Sequence, residues 1–583
     1  MCSYNKFYEN NLFVVLDRYS VEIIDLPNRK MLEKNKVMFI VSFKKGVLMK
    51  KFTKIAYLMA GFVMQAQAYT SSHTFFTARP NFQKGTPERQ SFFRNDLMET
   101  CCTGWRGAFQ VIVYGGKTTQ RGDEKLTRYF LPQGCGDCTL NFQEYKLSTE
   151  ENLSALNNNL GSSADYSPSK NIEARNFNIV TNNGVSTDLN NGSFSSSVQF
   201  KFSQSKLGVG IDYKQQLTTK KDGTTGFWFE AAMPVERIRN KIELREKINN
   251  NGGGAYRLDA AGQLQLGLNN LPHVDSVKAA FMQQQLLPRR EKWGLSEVEL
   301  FIGYNTYVLE WASTTSYFGI SLPTGAHVLD HTLFDPIMGN NRSLGLLFGN
   351  ETNFNVYRKF GWEIDWILEW NGRYLLESDQ IRSFDLVGKP WSRFLETYDG
   401  TVQANRAFVD SNTYSGTFGR NVFKHCVSVT PYFQGILNQA FNFNKDNGCW
   451  RFISEFGYNL FARQAEQVEL LNCNPLNGTY LKGINGSGTS TTARTIKANY
   501  KDSIVTFEDP YYTRTQLTAC DIDLDSAAHP SVISQTMYGS LGIMLSKTCP
   551  SFAALGASYE FQAGDINTAL ERWLVWIKLG ITF

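Results

Sequence analysis

His327 and His331 are the residues best spaced for a metal ion in this 583-residue chain. On a helix, two imidazoles four residues apart would face one zinc. The zinc-protease pattern also needs a glutamate directly after the first histidine as general base, and Val328 stands there. The segment reads as loop, so ordinary loop histidines are the simpler reading, and no cofactor is expected. Cys135-Gly-Asp-Cys138 has the C-x-x-C spacing of redox and zinc sites, without a second such pair. Structural pairing with Cys101 or Cys102 is the expectation. Glu363 and Asp365, two apart, could work as an acid–base pair, yet no nucleophile or base can be placed beside them. G-x-S-x-G, phosphate-loop and EF-hand patterns are missing. Catalysis is not expected.

The acids make more sense as one face of alternating strands. Phe360, Trp362, Ile364, Trp366, Leu368 and Trp370 alternate with Gly361, Glu363, Asp365, Ile367, Glu369 and Asn371. A strand has a side-chain period of two, so the aromatic and aliphatic residues share one face. A face so apolar suits lipid, where a basic side chain would cost roughly 2–4 kcal/mol at mid-membrane and a carboxylate less, though still a penalty. The carboxylates must point into a wet lumen. The same alternation runs through 207–214, 227–236, 297–308, 451–460, 537–546 and 553–562. It names Asp212, Glu230, Glu363, Asp365, Glu369, Arg451, Glu455 and Glu560 as candidate lumen-lining residues. Rings of acids would prefer cations. The alternative is that they pair with Lys214, Arg451 or other inward bases and fill the interior.

Met49 to Ala68 has the layout of a secretory signal: Lys50, Lys51 and Lys54, an apolar run from Ile55 to Met64, and Ala66-Gln67-Ala68. The apolar run, about 10 residues, is too short for a spanning helix of about 20. Cleavage after Ala68 is expected, and residues 1–48 read as an extension ahead of the true start. Residues 1–68 hold 11 of the 59 Lys and Arg and 5 of the 54 Asp and Glu, leaving 48 bases and 49 acids, a net charge of −1. The apparent basicity belongs to the leader, and a nucleic-acid partner is not expected. Aromatic content of 14% suits interfacial girdles, and no later stretch is apolar enough for a helical span.

At the far end Trp573, Val575, Ile577, Leu579, Ile581 and Phe583 alternate with Lys578, Gly580 and Thr582. This resembles the closing strand of bacterial outer-membrane barrels, where Phe583, Ile581 and Leu579 would act as the assembly signal. The resemblance implies outer-membrane lipid and the barrel-assembly machinery as partners.

The sequence therefore predicts an all-β protein: a transmembrane antiparallel up-and-down β-barrel of about fourteen strands, with twelve as the alternative, and long extracellular loops. Twelve strands are counted from about 194 to 583, and 107–115 and 139–146 supply two more. Connections alternate between short and long, as inside turns and outside loops do. The one short outside connection is Ser203 to Lys206. Residues 148–193 read as loop, 275–287 as a short helix, and 69–105 as an N-terminal segment below or within a barrel of residues 106–583.

The blocks Gly319-Ile-Ser-Leu-Pro-Thr-Gly325, Gly339-Asn-Asn-Arg342, Gly345-Leu-Leu-Phe-Gly349, Arg382-Ser-Phe-Asp385 and Lys389-Pro-Trp-Ser-Arg393 resemble segments of outer-membrane transport porins. In size and inferred strand number the chain is similar to the long-chain fatty-acid transporter family. That resemblance implies passive passage or import of a small-molecule solute. The rival expectations are a surface-interaction barrel presenting its long loops and, further off, a barrel enzyme.

Overall fold

The computed structural model describes residues 73–94, 106–130, 139–143, 171–173, 179–181, 194–218, 225–251, 255–257, 289–309, 311–330, 333–387, 393, 396–399, 417–471, 476, 479–481, 515–545, 551–562 and 570–583. Twelve strands close a ring. They are β1 (Gly107–Thr118), β2 (Phe194–Gln216), β3 (Gly226–Asn251), β4 (Val298–Leu309), β5 (Ala312–Leu322) and β6 (Gly345–Lys359), then β7 (Trp362–Leu375), β8 (Tyr432–Asp446), β9 (Arg451–Arg463), β10 (Val532–Met544), β11 (Ser551–Phe561) and β12 (Arg572–Thr582). Each pairs antiparallel with the next. β1 pairs with both β2 and β12, so no ring edge is left open.

The ring is apolar outside and polar inside. On β12, Trp573, Val575, Ile577, Leu579, Ile581 and Phe583 are 44–64% exposed, while Lys578 on the other face is fully buried. Eleven residues at about 3.3 Å each, tilted by about 40°, span roughly 27 Å, the height of an outer-membrane apolar band. On β7, Glu369 is buried, and Trp362 and Tyr374 are exposed on the opposite face. The turn between β6 and β7 is Phe360-Gly361, both at positive φ, the backbone a two-residue hairpin needs.

The count is twelve, not fourteen, for two reasons. Ser203 to Lys206 is no connection: β2 runs unbroken through it and pairs with β3 along Phe194–Gln216. Thr139–Gln143 is a strand, but it pairs with Ser195–Gln199 beyond the end of β1 and not within the ring. The β2–β3 hairpin extends past the apolar band. Above it Arg237 and Arg239 face outward to Glu291 on the added strand Arg289–Leu295. Such charges do not suit lipid, which is why 238–296 reads as loop in the sequence. Of 148–193, the short strands Asn171–Glu173 and Ile179–Thr181 are described; the helix expected at 275–287 lies outside the described residues.

The described parts of the long connections gather at one end of the ring. Helix Gln120–Phe130 and a small three-stranded sheet of Ser378–Ser383, Lys424–Thr430 and Gln467–Leu470 pack there. They bury a core that includes Phe130, Phe202, Phe334, Phe384, Val427 and Ile522.

Replacing Ile577 with Arg should destabilise the barrel refolded in lipid vesicles by about 2–4 kcal/mol, read by urea titration. An unchanged midpoint would mean that this face does not meet lipid.

Candidate functional site

Residues 73–94 run through the ring. His73 and Thr74 lie at the long-loop end, where Thr74 N donates to Ser526 O (2.8 Å). Arg94 reaches Glu351 and Glu455 further down. Apart from Ala78, every side chain of the segment is buried.

The segment carries bases at every fifth position: Arg79, Lys84, Arg89 and Arg94. Each has a wall partner. Arg79 donates to Asn459 Oδ1 (2.8 Å) and lies over the Phe461 ring. Lys84 pairs with Glu230 (2.7 Å). Arg89 is held by three carboxylates at once: Asp212 (2.9 Å), Glu230 (2.5 Å) and Glu299. Arg94 pairs with Glu455 (2.6 Å) and Glu351 (3.4 Å). In return, Lys578 donates to Arg89 O and Ser91 O, and Lys214 to Phe93 O (2.9 Å). Arg373 bridges Glu297 and Glu299, so the excess acid on β4 is also matched.

The local fold of the segment follows from its residues. Gly85 sits at φ +88°, and a Cβ there would press Ile436 at 3.2 Å. Thr86-Pro87 then opens a single helical turn, Pro87–Gln90, where proline's fixed φ suits the first position. That turn aims Arg89 at β2, β3 and β4.

The residues named from the sequence fall into separate groups. Asp212, Glu230 and Glu455 hold the segment. Glu560 pairs with Arg572 (2.5 Å), whose NH2 donates to Arg79 O. Glu369 accepts from Tyr317 OH (3.2 Å). Asp365 accepts from Asn355 and Asn444. Glu363 pairs with Arg358, with Arg451 4.0 Å away near the short-turn end. Phe583 exchanges backbone hydrogen bonds with Gly107 and closes the ring, with Ile581 and Leu579 facing out. His327 lies in non-helical chain, and His331 lies outside the described residues. So do Cys101, Cys102, Cys135 and Cys138, while Cys426 and Cys449 carry free thiols.

Sequence reasoning did not select Lys84, Arg89, Arg94, Glu299 or Glu351. The five-residue spacing of the bases was the available signal.

Among the described residues, space between segment and wall comes down to water size in places. One of about 20 Å³ is lined by Arg79, Glu88, Glu560 and Arg572. Above the segment, described parts of the connections pack against it. His73 stacks on Tyr129 at 4.5 Å, and His529 packs nearby against Phe76.

No protein-family model and no curated protein matches the sequence. Among solved structures the chain is similar to an outer-membrane channel from Pseudomonas putida F1, at 8% identity and a TM-score of 0.32, over 83% of this chain and 98% of that one. It is also similar to CdiB from Acinetobacter baumannii (8%, TM-score 0.20, 82% and 60%) and to OprB from Pseudomonas putida (7%, TM-score 0.15, 89% and 100%). With twelve strands, the likeness to the long-chain fatty-acid transporters drawn from strand number loses its basis.

Two predictions follow from these contacts. Arg89→Ala leaves Asp212, Glu230 and Glu299 buried with less counter-charge, and should cost about 3–5 kcal/mol in a urea titration; a loss below about 1 kcal/mol would mean the three acids do not depend on it. The second concerns pH. Burial, helped by Arg393, lowers the His73 pKa to about 4, and burial with Arg463 lowers that of His529 well below its ordinary value. The unfolded histidines take up protons below about 6.5, while the folded ones resist. Stability from these sites is thus full above about pH 6.5 and is lost as the pH falls toward 4. Protease resistance of the long-loop end should drop across that window, and His73→Gln should flatten the drop. The same slope in the variant would remove His73 from the account.

Proposed function

We propose that the chain is a bacterial outer-membrane channel for small solutes, shut by its own N-terminal segment. The observation behind this is the matching of Lys84, Arg89 and Arg94 to wall carboxylates inside a closed twelve-strand ring. A permanent filling would more simply be apolar. Buried ion pairs recover much of their desolvation cost when both partners return to water. A segment held this way can therefore leave at far less cost than the number of its pairs suggests. The wall would then present Asp212, Glu230, Glu299, Glu351 and Glu455 to the lumen, against Lys214, Lys578 and Arg373. That balance favours cations.

In this reading the leader directs export, the terminal strand serves assembly, and solute passage is passive. A second reading has its own observation: the long connections form a packed core at one end, as a surface-interaction barrel would need.

Planar-bilayer recording separates the two. The wild-type protein should be mostly silent. Lys84→Glu/Arg89→Glu, which repels the wall acids, should give steady cation-preferring steps, as should a chain lacking 73–94. Folded, heat-modifiable variants that stay silent would remove the channel reading and leave the surface one.

A further inference from the structure

Lys84 does more than pair with a carboxylate. Its Nζ lies 5.4 Å from the ring centre of Trp228, 5.7 Å from Phe301 and 5.2 Å from Tyr317, with Glu230 at 2.7 Å. Three rings from three adjacent strands and one carboxylate enclose a single ammonium group. Each ring is within the roughly 6 Å at which its face attracts a cation.

The cage belongs to the wall and not to the segment. Trp228 stands directly opposite Gly303 on β4, Phe301 opposite Gly319 on β5, and Tyr317 opposite Gly349 on β6. A Cβ at Gly303 would fall 2.1 Å from the Trp228 ring, at Gly319 2.5 Å from the Phe301 ring, and at Gly349 2.6 Å from the Tyr317 ring. Each ring thus lies flat over a glycine of the next strand. Phe301 and Tyr317 also meet edge to face at 5.6 Å, and Trp228 lies 6.2 Å from Tyr317. Tyr317 OH is fixed by Glu369. None of these contacts involves residues 73–94. The contacts that hold the rings do not depend on Lys84, and a site held that way saves the ordering cost of binding.

We propose that Trp228, Phe301, Tyr317 and Glu230 form a binding site for alkylammonium solutes, which Lys84 occupies as a built-in stand-in. This names the solute class of the channel and so rests on the reading above. Arg89 and Lys214 also lie near Glu230, at 2.5 and 3.7 Å. The carboxylate therefore keeps counter-charge when Lys84 is absent, and the rings must supply much of the selectivity.

The test uses the full chain with Lys84→Ala, which empties the cage while Arg89 still holds the segment. The probe is n-butylammonium chloride, the length of a lysine side chain. Tryptophan fluorescence should saturate in the variant at a concentration at least tenfold lower than in wild type. Adding Glu230→Gln, or Phe301→Leu, which leaves the reporter Trp228 in place, to the variant should raise that concentration at least tenfold. If Lys84→Ala refolds poorly, butylammonium should raise the refolded yield. No saturation and no gain in yield, or equal saturation in wild type, would overturn the site. Conductance is a separate readout: a cage that binds in a barrel whose Lys84→Glu/Arg89→Glu variant never conducts keeps the site and removes the channel. A conducting variant with no butylammonium binding removes the solute class alone.

Discussion

Charge matching across the lumen is the constraint on which the rest depends. An unpaired carboxylate inside the ring would be untenable if dry, so each inward acid needs a base or water. Asp212, Glu230 and Glu299 come from three neighbouring strands and converge on one guanidinium. Their positions are set by the strand register, because a slip of one residue would turn all of them into the apolar band. The segment 73–94 is therefore coupled to the wall that surrounds it. The register aims the acids, and Arg89 relieves their mutual repulsion.

Aromatic residues solve a second problem of the same wall. A ring twelve strands wide has more interior than side chains of ordinary size can line. Trp228, Phe301 and Tyr317 fill it by lying over glycines, and so do Tyr114 over Gly208, Tyr538 over Gly457 and Trp576 over Gly556. Cross-strand aromatic–glycine pairs cover backbone that glycine would leave bare. The result is a smooth wall with rings facing the lumen. In the β3–β5 region those rings meet a cation; elsewhere Tyr114 stacks on the segment's own Phe82 and Tyr538 donates to Glu455.

Much of this was legible in the sequence, and the limits have physical causes. Period-two alternation found the crossing strands because lipid on one side and water on the other force a two-sided pattern. It placed Asp212, Glu230 and Glu455 on the inner face. The strand count failed where β2 continues past the apolar band, since the polar stretch Ser203 to Lys206 breaks the lipid pattern without ending the strand, and where Thr139–Gln143 pairs only with that extension. The segment was harder to read. It is neither helix nor strand over most of its length, so its contacts follow no period. Its bases are informative only once the acids they meet are placed in space.

The chain order adds a consequence for assembly. The segment enters at the long-loop end and leaves toward the short-turn end, where β1 begins. β1 is also the strand that pairs with β12 to close the ring. The segment is thus tied to the strand that closes around it. Threading it into a finished ring would drag four bases along a closed lumen lined by buried charges. Closure around a segment already lying on the wall avoids that. Arg89 can meet Asp212, Glu230 and Glu299 as soon as β2, β3 and β4 have paired, before β12 arrives. The contacts that shut the lumen are then the same ones that neutralise the wall while the barrel is still open to water.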